Sequence, residues 1–336
     1  MTASFMPAHA PSTSAAQLIA ADVGGTHVRV GLIRAGVDGS DAIEILAYRK
    51  YRCADHAGLD AILADFGSHN PPVAECVIAT AGYAQDDGNV ISINLPWPLS
   101  TQRIRDALGF RAVHVVNDFE AVAHAATHMD DSQVLQLAGP AQAAPGPVLI
   151  VGPGTGLGAA VWIPAGKRSV VLATEAGQAA LAPTNALEIA VLHHMLRERS
   201  HVSIEQVLSG PGLLKLYHAL CAVRGAVPVH TTPDAVSAAA CDGSDALARE
   251  TLSLFCDFLG SAIGDMALFY GVQRVYLAGG FLPRFGSFIQ NSRFVERFLN
   301  KGPMAQALQR IPVKLVEHGQ LGVIGATRWY QGRRND

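Results

Sequence analysis

Two glycine-rich segments of this chain follow one plan, and that repeat constrains the fold more than any other feature. In each segment an apolar strand enters a tip rich in glycine and threonine, and a second apolar strand leaves it. The first copy begins at Ala20 and the second at Ile150, about 130 residues later, which is the length of one domain. The economical interpretation is two related α/β halves, each of which presents a glycine hairpin to a shared cleft.

Length and composition agree with two halves. The chain has 336 residues, enough for two domains of roughly 150 residues each. Hydrophobic residues make up 49% and charged residues 16%, which provides ample material for buried cores. Apolar runs predict strands at 18–22, 26–33, 75–80, 111–116, 147–151, 159–163, 274–277 and 313–317, and helices at 56–66, 119–128, 186–197, 212–223, 245–267 and 321–330.

The charge pattern excludes several classes of partner. The formal net charge is −3 and no stretch gathers five or six like charges, which argues against a nucleic-acid surface. The longest uncharged run, residues 132–166, is broken by glycine and proline and predicts no membrane helix. Residues 1–16 lack Lys and Arg, so we expect a flexible tail rather than a secretory signal, and a cytoplasmic protein.

Three glycine-rich tips follow predicted strands. Glycine can serve only a tight turn, but it also lets backbone N–H groups approach a phosphate, and three such tips favour the second role. No Lys follows Gly158, so a P-loop is excluded. A dinucleotide-binding fingerprint requires a helix after the glycines, whereas 159–163 predicts a strand, so an NAD-dependent oxidoreductase is rejected. The tip residues are Gly24, Gly25, Thr26, Gly154, Thr155, Gly156, Gly279 and Gly280.

Asp118 lies between a predicted strand and a predicted helix, directly after Asn117. An Asn-Asp pair at such a junction can be an ordinary helix N-cap. Beside phosphate loops, an Asp at the end of a strand can instead accept the proton of an attacking hydroxyl, as phosphoryl transfer requires. The residues alone leave both interpretations open.

Taken together, the motifs resemble the bacterial glucokinase family of the hexokinase–actin-like ATPase superfamily, from residue 20 to about residue 328. The resemblance implies an α/β fold of two actin-like ATPase (ribonuclease H-like) domains with an interdomain cleft. We expect a small domain of residues 17–126 plus 319–336, a large domain of residues 127–318, and a possible homodimer. The segments that carry the resemblance are Asp22-Val-Gly-Gly-Thr26, Asn94-Leu-Pro-Trp97, Val116-Asn-Asp-Phe119 and residues 152–158, 202–212 and 279–285.

The resemblance also implies an activity and residue roles. The expected reaction is ATP-dependent phosphorylation of a hexose, most simply glucose at its 6-hydroxyl, with ATP and Mg²⁺ as cofactors. Asp118 is the expected general base, and Asp22 is expected to hold the magnesium ion through water. The three tips are expected to bind the nucleotide. The expected sugar-binding residues are Asn94, Asn117, Asp118, Glu175, Gln178 and Glu205.

Two positions depart from the family pattern. Gln178 stands where the family segment Glu-Gly-Gly-His has its histidine, and His27 stands where an asparagine is usual. Losing one well-placed hydrogen bond costs about 1–3 kcal/mol. A kinase for a different hexose, or a regulator that binds sugar and nucleotide without turnover, therefore remains an alternative to glucokinase.

Overall fold

The computed structural model describes residues 16–36, 42–85, 87–91, 95–126, 129, 131–166, 168–316 and 319–334. The chain divides into two compact units, residues 1–116 with 326–336 and residues 117–325. The predicted tail lies outside the described residues except for Ala16, the first residue of the first strand.

The first unit is built on a five-stranded sheet. Val28, Val30 and Leu32 alternate along one strand and are all buried in its core, as their spacing predicts. The strands are β1 (Ala16–Val23), β2 (His27–Ala35), β3 (Ile43–Arg52), β4 (Glu75–Thr80), β5 (Tyr83–Ala84), β6 (Asn89–Ile91), β7 (Leu99–Ser100) and β8 (Ala112–Asn117), and the helices are α1 (Leu59–Ser68) and α2 (Thr101–Leu108). The sheet order is β3-β2-β1-β4-β8, and β5, β6 and β7 form a separate small sheet.

The second unit contains a six-stranded sheet with buried side chains on both faces. One face carries the larger core, and the other packs against Ala123 and Leu321. The strands are β9 (Val134–Ala138), β10 (Val148–Pro153), β11 (Leu157–Ala165), β12 (Arg168–Thr174), β13 (Arg274–Leu277) and β14 (Val313–Val316). The helices are α3 (Asp118–Ala126), α4 (Ala186–Met195), α5 (Gly210–Arg224), α6 (Pro233–Asp242), α7 (Ala246–Tyr270), α8 (Gly286–Gln290), α9 (Phe294–Leu299) and α10 (Ala305–Leu308), and α11 (Leu321–Arg334) contributes residues to both units.

The two sheets repeat one strand order. The first reads β3-β2-β1-β4-β8, and the second reads β12-β11-β10-β13-β14 before it adds β9. In each sheet the strand that enters the glycine tip, β1 or β10, pairs antiparallel with the strand that leaves the tip. The same strand pairs parallel with a later strand, β4 or β13. This confirms the internal repeat that the glycine hairpins predict.

The boundaries between the two units differ from those expected from the sequence, 126/127 and 318/319. Helix α3 belongs to the second unit because it packs on β10, β11 and β12. The C-terminal crossing falls inside α11, at residues 325/326, rather than in the turn before it. A Cβ at Gly325 would overlap the backbone of Ala121, so this glycine lets α11 approach α3 closely.

Helix α7 is the one helix among the described residues whose length and apolar composition would allow it to cross a membrane. Its most apolar window is 78% buried inside the protein. Phe255 and Phe258 on this helix are almost fully buried. The helix is thus largely accounted for as a core element of the second unit.

Candidate active site

The glycine tip of the second unit, residues 154–156, joins β10 to β11. Gly154 donates its N–H to the carbonyl of Gly156 at 2.8 Å, and its own carbonyl accepts from Gly210 at 2.8 Å. Among the described residues, no acceptor is present for the N–H groups of Thr155 and Gly156. Thr155 is exposed. This second tip therefore offers two adjacent backbone donors and a hydroxyl to an anion.

The glycine pair after β13 lies at the same end of the sheet. β13 pairs parallel with β10, and Ala278 donates its N–H to Val151 at 2.8 Å. Gly279 has a φ of +106°, in the left-handed region that favours glycine. Gly279 and Gly280 are exposed. The parallel pairing of β10 and β13 thus brings two of the three predicted nucleotide-binding segments to the same end of the sheet.

The Asn-Asp pair forms the N-terminus of α3. The Asn117 side-chain oxygen accepts from the N–H of Phe119 at 3.0 Å and from the N–H of Glu120 at 3.1 Å, which is N-cap geometry. Asp118 is the first helical residue, and its Oδ1 also accepts from Phe119, at 2.9 Å. The cap is Asn117, so the Asp118 carboxylate is left half-buried beside it.

The Phe119 side chain packs the N-terminus of α3 against the β10–β11 hairpin. A Cβ at Gly158 would overlap the Phe119 ring, and a Cβ at Gly152 would lie 2.6 Å from the ring carbon Cζ. Both glycines flank the second tip, one on each strand. The ring therefore occupies the space that two missing side chains provide, and it holds Asp118 in a set position relative to the tip.

The turn Ala176–Gln178 carries the predicted sugar-side residues. Gln178 donates its N–H to the carbonyl of Glu175 at 2.9 Å, and the side chains of both residues are exposed. His201 donates from Nε2 to the carbonyl of Gln178 at 3.0 Å. A Cβ at Gly177 would lie 2.6 Å from the Leu157 carbonyl oxygen, so this sugar-side turn lies against the base of the second tip.

Glu205 contacts both segments. Its Oε2 accepts from the N–H of Leu157 at 2.8 Å, and its Oε1 accepts from Nε2 of Gln178 at 3.2 Å. Because a carboxylate only accepts, this contact orients the Gln178 amide with its nitrogen toward Glu205. The half-buried Glu205 carboxylate is thus already engaged by the protein, a role that the sequence did not indicate.

Asp22 lies at the end of β1 in the first unit, opposite Arg29 on β2. An ion pair joins its Oδ2 to the Arg29 guanidinium at 3.1 Å, and its side chain is 21% exposed. Desolvation raises the pKa of Asp22 above its ordinary value, while the charge and hydrogen bond of Arg29 act in the opposite direction. A second cation beside this carboxylate would further favour its ionised form.

The first tip, residues 24–26, is similar to the second in that the N–H of its first residue is bonded to the backbone of the same hairpin. Gly24 donates its N–H to the carbonyl of His27 at 3.1 Å, and Cys53 donates to Thr26 at 2.9 Å. Within the described part of the chain, the N–H groups of Gly25 and Thr26 have no acceptor. In each tip the first N–H group is thus bonded within the hairpin, and the next two N–H groups have no acceptor among the described residues.

The structure brings most of the predicted residues of the second unit into one connected set, running from Asn117 and Asp118 through Phe119 to the tip and on to Glu205 and Gln178. Asn94 lies outside the described residues. The sequence motif contains Phe119, but its anchoring role was missed. A signal was available, because a glycine within a strand marks the close approach of another group, and Gly152 and Gly158 face each other on paired strands.

Comparison with known proteins supports one family. The family model described as Glucokinase matches residues 19–333. A glucokinase-like protein of Xylella fastidiosa is 54% identical over 317 residues, covering 94% of this chain and 95% of that protein. The glucokinase of Saccharophagus degradans is 38% identical over 316 residues, covering 93% of this chain and 97% of that protein.

Solved structures agree with this result. The crystal structure of a glucokinase from an Antarctic psychrotroph is similar to this chain with a TM-score of 0.81 and 36% identity, over 93% of this chain and 98% of that one. The chain therefore belongs to the glucokinase family of ATP-dependent phosphotransferases that act on a sugar hydroxyl, and it has the two-unit actin-like ATPase fold.

Proposed function

We propose that this protein transfers the γ-phosphoryl group of ATP to the 6-hydroxyl of glucose. The observation that carries the proposal is the anchoring of Asp118 by Phe119 on the hairpin whose tip offers two backbone donors. A base held in a set position relative to phosphate donors suits phosphoryl transfer, where catalysis is mostly positioning and charge stabilisation. Both substrates are cytoplasmic metabolites, and we propose the same location for the enzyme.

Each residue has a proposed role. Asp118 takes the proton of the sugar hydroxyl as that oxygen attacks phosphorus. The free N–H groups of Thr155 and Gly156, with those of Gly25 and Thr26, stabilise charge on the phosphates. Gly279 and Gly280 accommodate the rest of the nucleotide. The residues proposed to bind sugar hydroxyls are Asn94, Asn117, Glu175, Gln178 and Glu205.

Asp22 fits a water-mediated magnesium site. Arg29 contacts only Oδ2, and no described residue donates to Oδ1, which can therefore accept from a metal-bound water. Magnesium commonly keeps several waters and takes one or two carboxylates together with substrate phosphates. When bound, the ion neutralises phosphate charge, while Asp22 orients one of its waters.

ADP release across a panel of hexoses tests the proposal directly. The wild type should release ADP with glucose, and Asp118→Asn should lower kcat by about 10²–10⁴-fold, the usual contribution of a general base. Because Asn117 supplies the helix cap, Asp118→Asn should keep its thermal unfolding temperature and ATP affinity. Turnover above a tenth of wild type in Asp118→Asn would exclude Asp118 as the base. A wild type that releases no ADP with any hexose on the panel would favour the regulator instead.

Gln178 decides which sugar is preferred. Its amide is oriented by Glu205, so its oxygen and second N–H face outward for a hydroxyl, with a reach different from that of an imidazole. We expect a raised KM for glucose, and Gln178→His should improve kcat/KM for glucose by up to about a hundredfold. Steady-state kinetics on glucose, mannose, fructose and N-acetylglucosamine measure this. A low wild-type KM for glucose, worsened by histidine, would contradict it, and a better hexose on the panel would identify a different kinase.

A further inference from the structure

The Glu205 carboxylate joins the two segments that are proposed to bind different substrates. One oxygen holds Leu157 at the base of the second tip, and the other holds Gln178 on the sugar-side turn. We infer that Glu205 is a positioning residue that couples the second tip to the sugar-side turn, so that a change on either side alters ligand binding on the other. The inference deepens the proposed hexose kinase function and rests on it.

The backbone around Glu205 is tied to the same two segments. Ile204 donates its N–H to the carbonyl of Ala179, next to the sugar-side turn, at 2.9 Å, and Gly210 donates to the carbonyl of Gly154 at 2.8 Å. Ser209 closes the segment by donating its hydroxyl to the Glu205 carbonyl at 2.8 Å. Residues 204–210 thus form a short segment that is hydrogen-bonded to the sugar-side turn at one end and to the second tip at the other. The Glu205 carboxylate cannot shift far without breaking its bonds to Leu157 and Gln178.

This arrangement explains why residue 156 is glycine. A Cβ there would lie 2.5 Å from Oε2 of Glu205 and 3.2 Å from its carboxyl carbon, and its three nearest atoms all belong to this carboxylate. Gly156 does not have a positive φ, so its backbone conformation would accept alanine. Alanine at 156 would therefore act mainly by displacing the Glu205 carboxylate.

Gly154 provides a matched control on the same tip. A Cβ at this position meets nothing within 4 Å, and its φ is not positive either. Gly154→Ala adds the same methyl group two residues away without touching Glu205. Of the two variants, Gly156→Ala is the one that requires the carboxylate to move.

The first experiment measures glucose affinity by calorimetric titration without any nucleotide. Gly156→Ala should weaken glucose binding about fivefold or more, the scale of a disturbed charge-assisted hydrogen bond, whereas Gly154→Ala should change it less than twofold. Glucose binding that is equal in the wild type and in folded Gly156→Ala would overturn the coupling. A wild type that binds none of the panel hexoses would instead remove the proposed function.

The second experiment needs no sugar and tests the contact from the other side. Gln178→Leu removes the donor to Oε1, so the N–H of Leu157 should exchange with deuterium about threefold or more faster in the ligand-free protein because its acceptor is less restrained. Gln178→His restores a donor and should return the rate toward wild type. Unchanged exchange at Leu157 in Gln178→Leu would overturn the inference, whatever the result with hexoses.

Discussion

His27 stands directly after the first tip, where the family pattern has asparagine, and it differs from asparagine in that it can take a proton. Burial lowers the pKa of His27, and the positive charges of Lys50, Arg29 and Arg52 lower it further. The imidazole is therefore neutral at physiological pH. At that pH it resembles asparagine in charge, although not in shape.

A pH dependence follows from this difference. Because the pKa of His27 lies below its ordinary value, the imidazole gains a proton only at acid pH, where it places a positive charge beside the first tip and should favour the bound polyphosphate. The ratio of ATP dissociation constants, wild type over His27→Asn, should thus be constant above pH 7 and fall between pH 7 and pH 5. Nucleotide titrations of both proteins across this range measure the ratio. A ratio that does not change with pH would show that protonation of His27 does not affect nucleotide binding.

At the scale of elements, the key contact is between the start of α3 and the β10–β11 hairpin. Gly158→Ala should push the Phe119 ring and shift Asp118, because well-packed sites pay about 1–3 kcal/mol for an added methyl group. We expect kcat to fall about tenfold or more, with KM for ATP less affected, since a small misplacement of a catalytic group costs rate.

A double-mutant cycle separates positioning from general damage. Phe119→Leu makes room for the new methyl group, so Gly158→Ala combined with Phe119→Leu should lose less activity than the sum of the two single losses. Steady-state kinetics and thermal unfolding of the four proteins provide the comparison. Additive losses would mean that the two positions do not act through one contact.

The sequence was informative for strands that are buried along most of their length, because their apolar residues form short continuous runs. The strand predicted at 274–277 matches β13, and the predicted hairpin matches β10 and β11 within three residues at each end. Strand β3 was missed because it is an edge strand of its sheet, and an edge strand needs no continuous apolar alternation. The contact of Glu205 with Leu157 was also beyond prediction, since it joins a side chain to a backbone amide 48 positions away.

At the scale of the whole molecule, the two units share a strand order but differ in the elements added to it. The shared strand order places a glycine tip in each unit, and both tips leave their second and third N–H groups without a described acceptor. The second unit adds the helices and turns that carry Glu175, Gln178 and Glu205. We therefore propose that the repeated tips bind phosphate, while substrate preference resides in the elements that are not repeated.

The first unit is assembled from two distant parts of the chain, residues 1–116 and 326–336. Trp329 and Tyr330 supply aromatic contacts to His114, with ring centroids 6.5 Å and 5.3 Å apart, and both are more than nine-tenths buried. During synthesis the ribosome must add about 210 residues between these parts, which takes on the order of 10–40 s. The first unit leaves the ribosome first but is completed last, and until then the surface that α11 covers is exposed to chaperones and to neighbouring nascent chains.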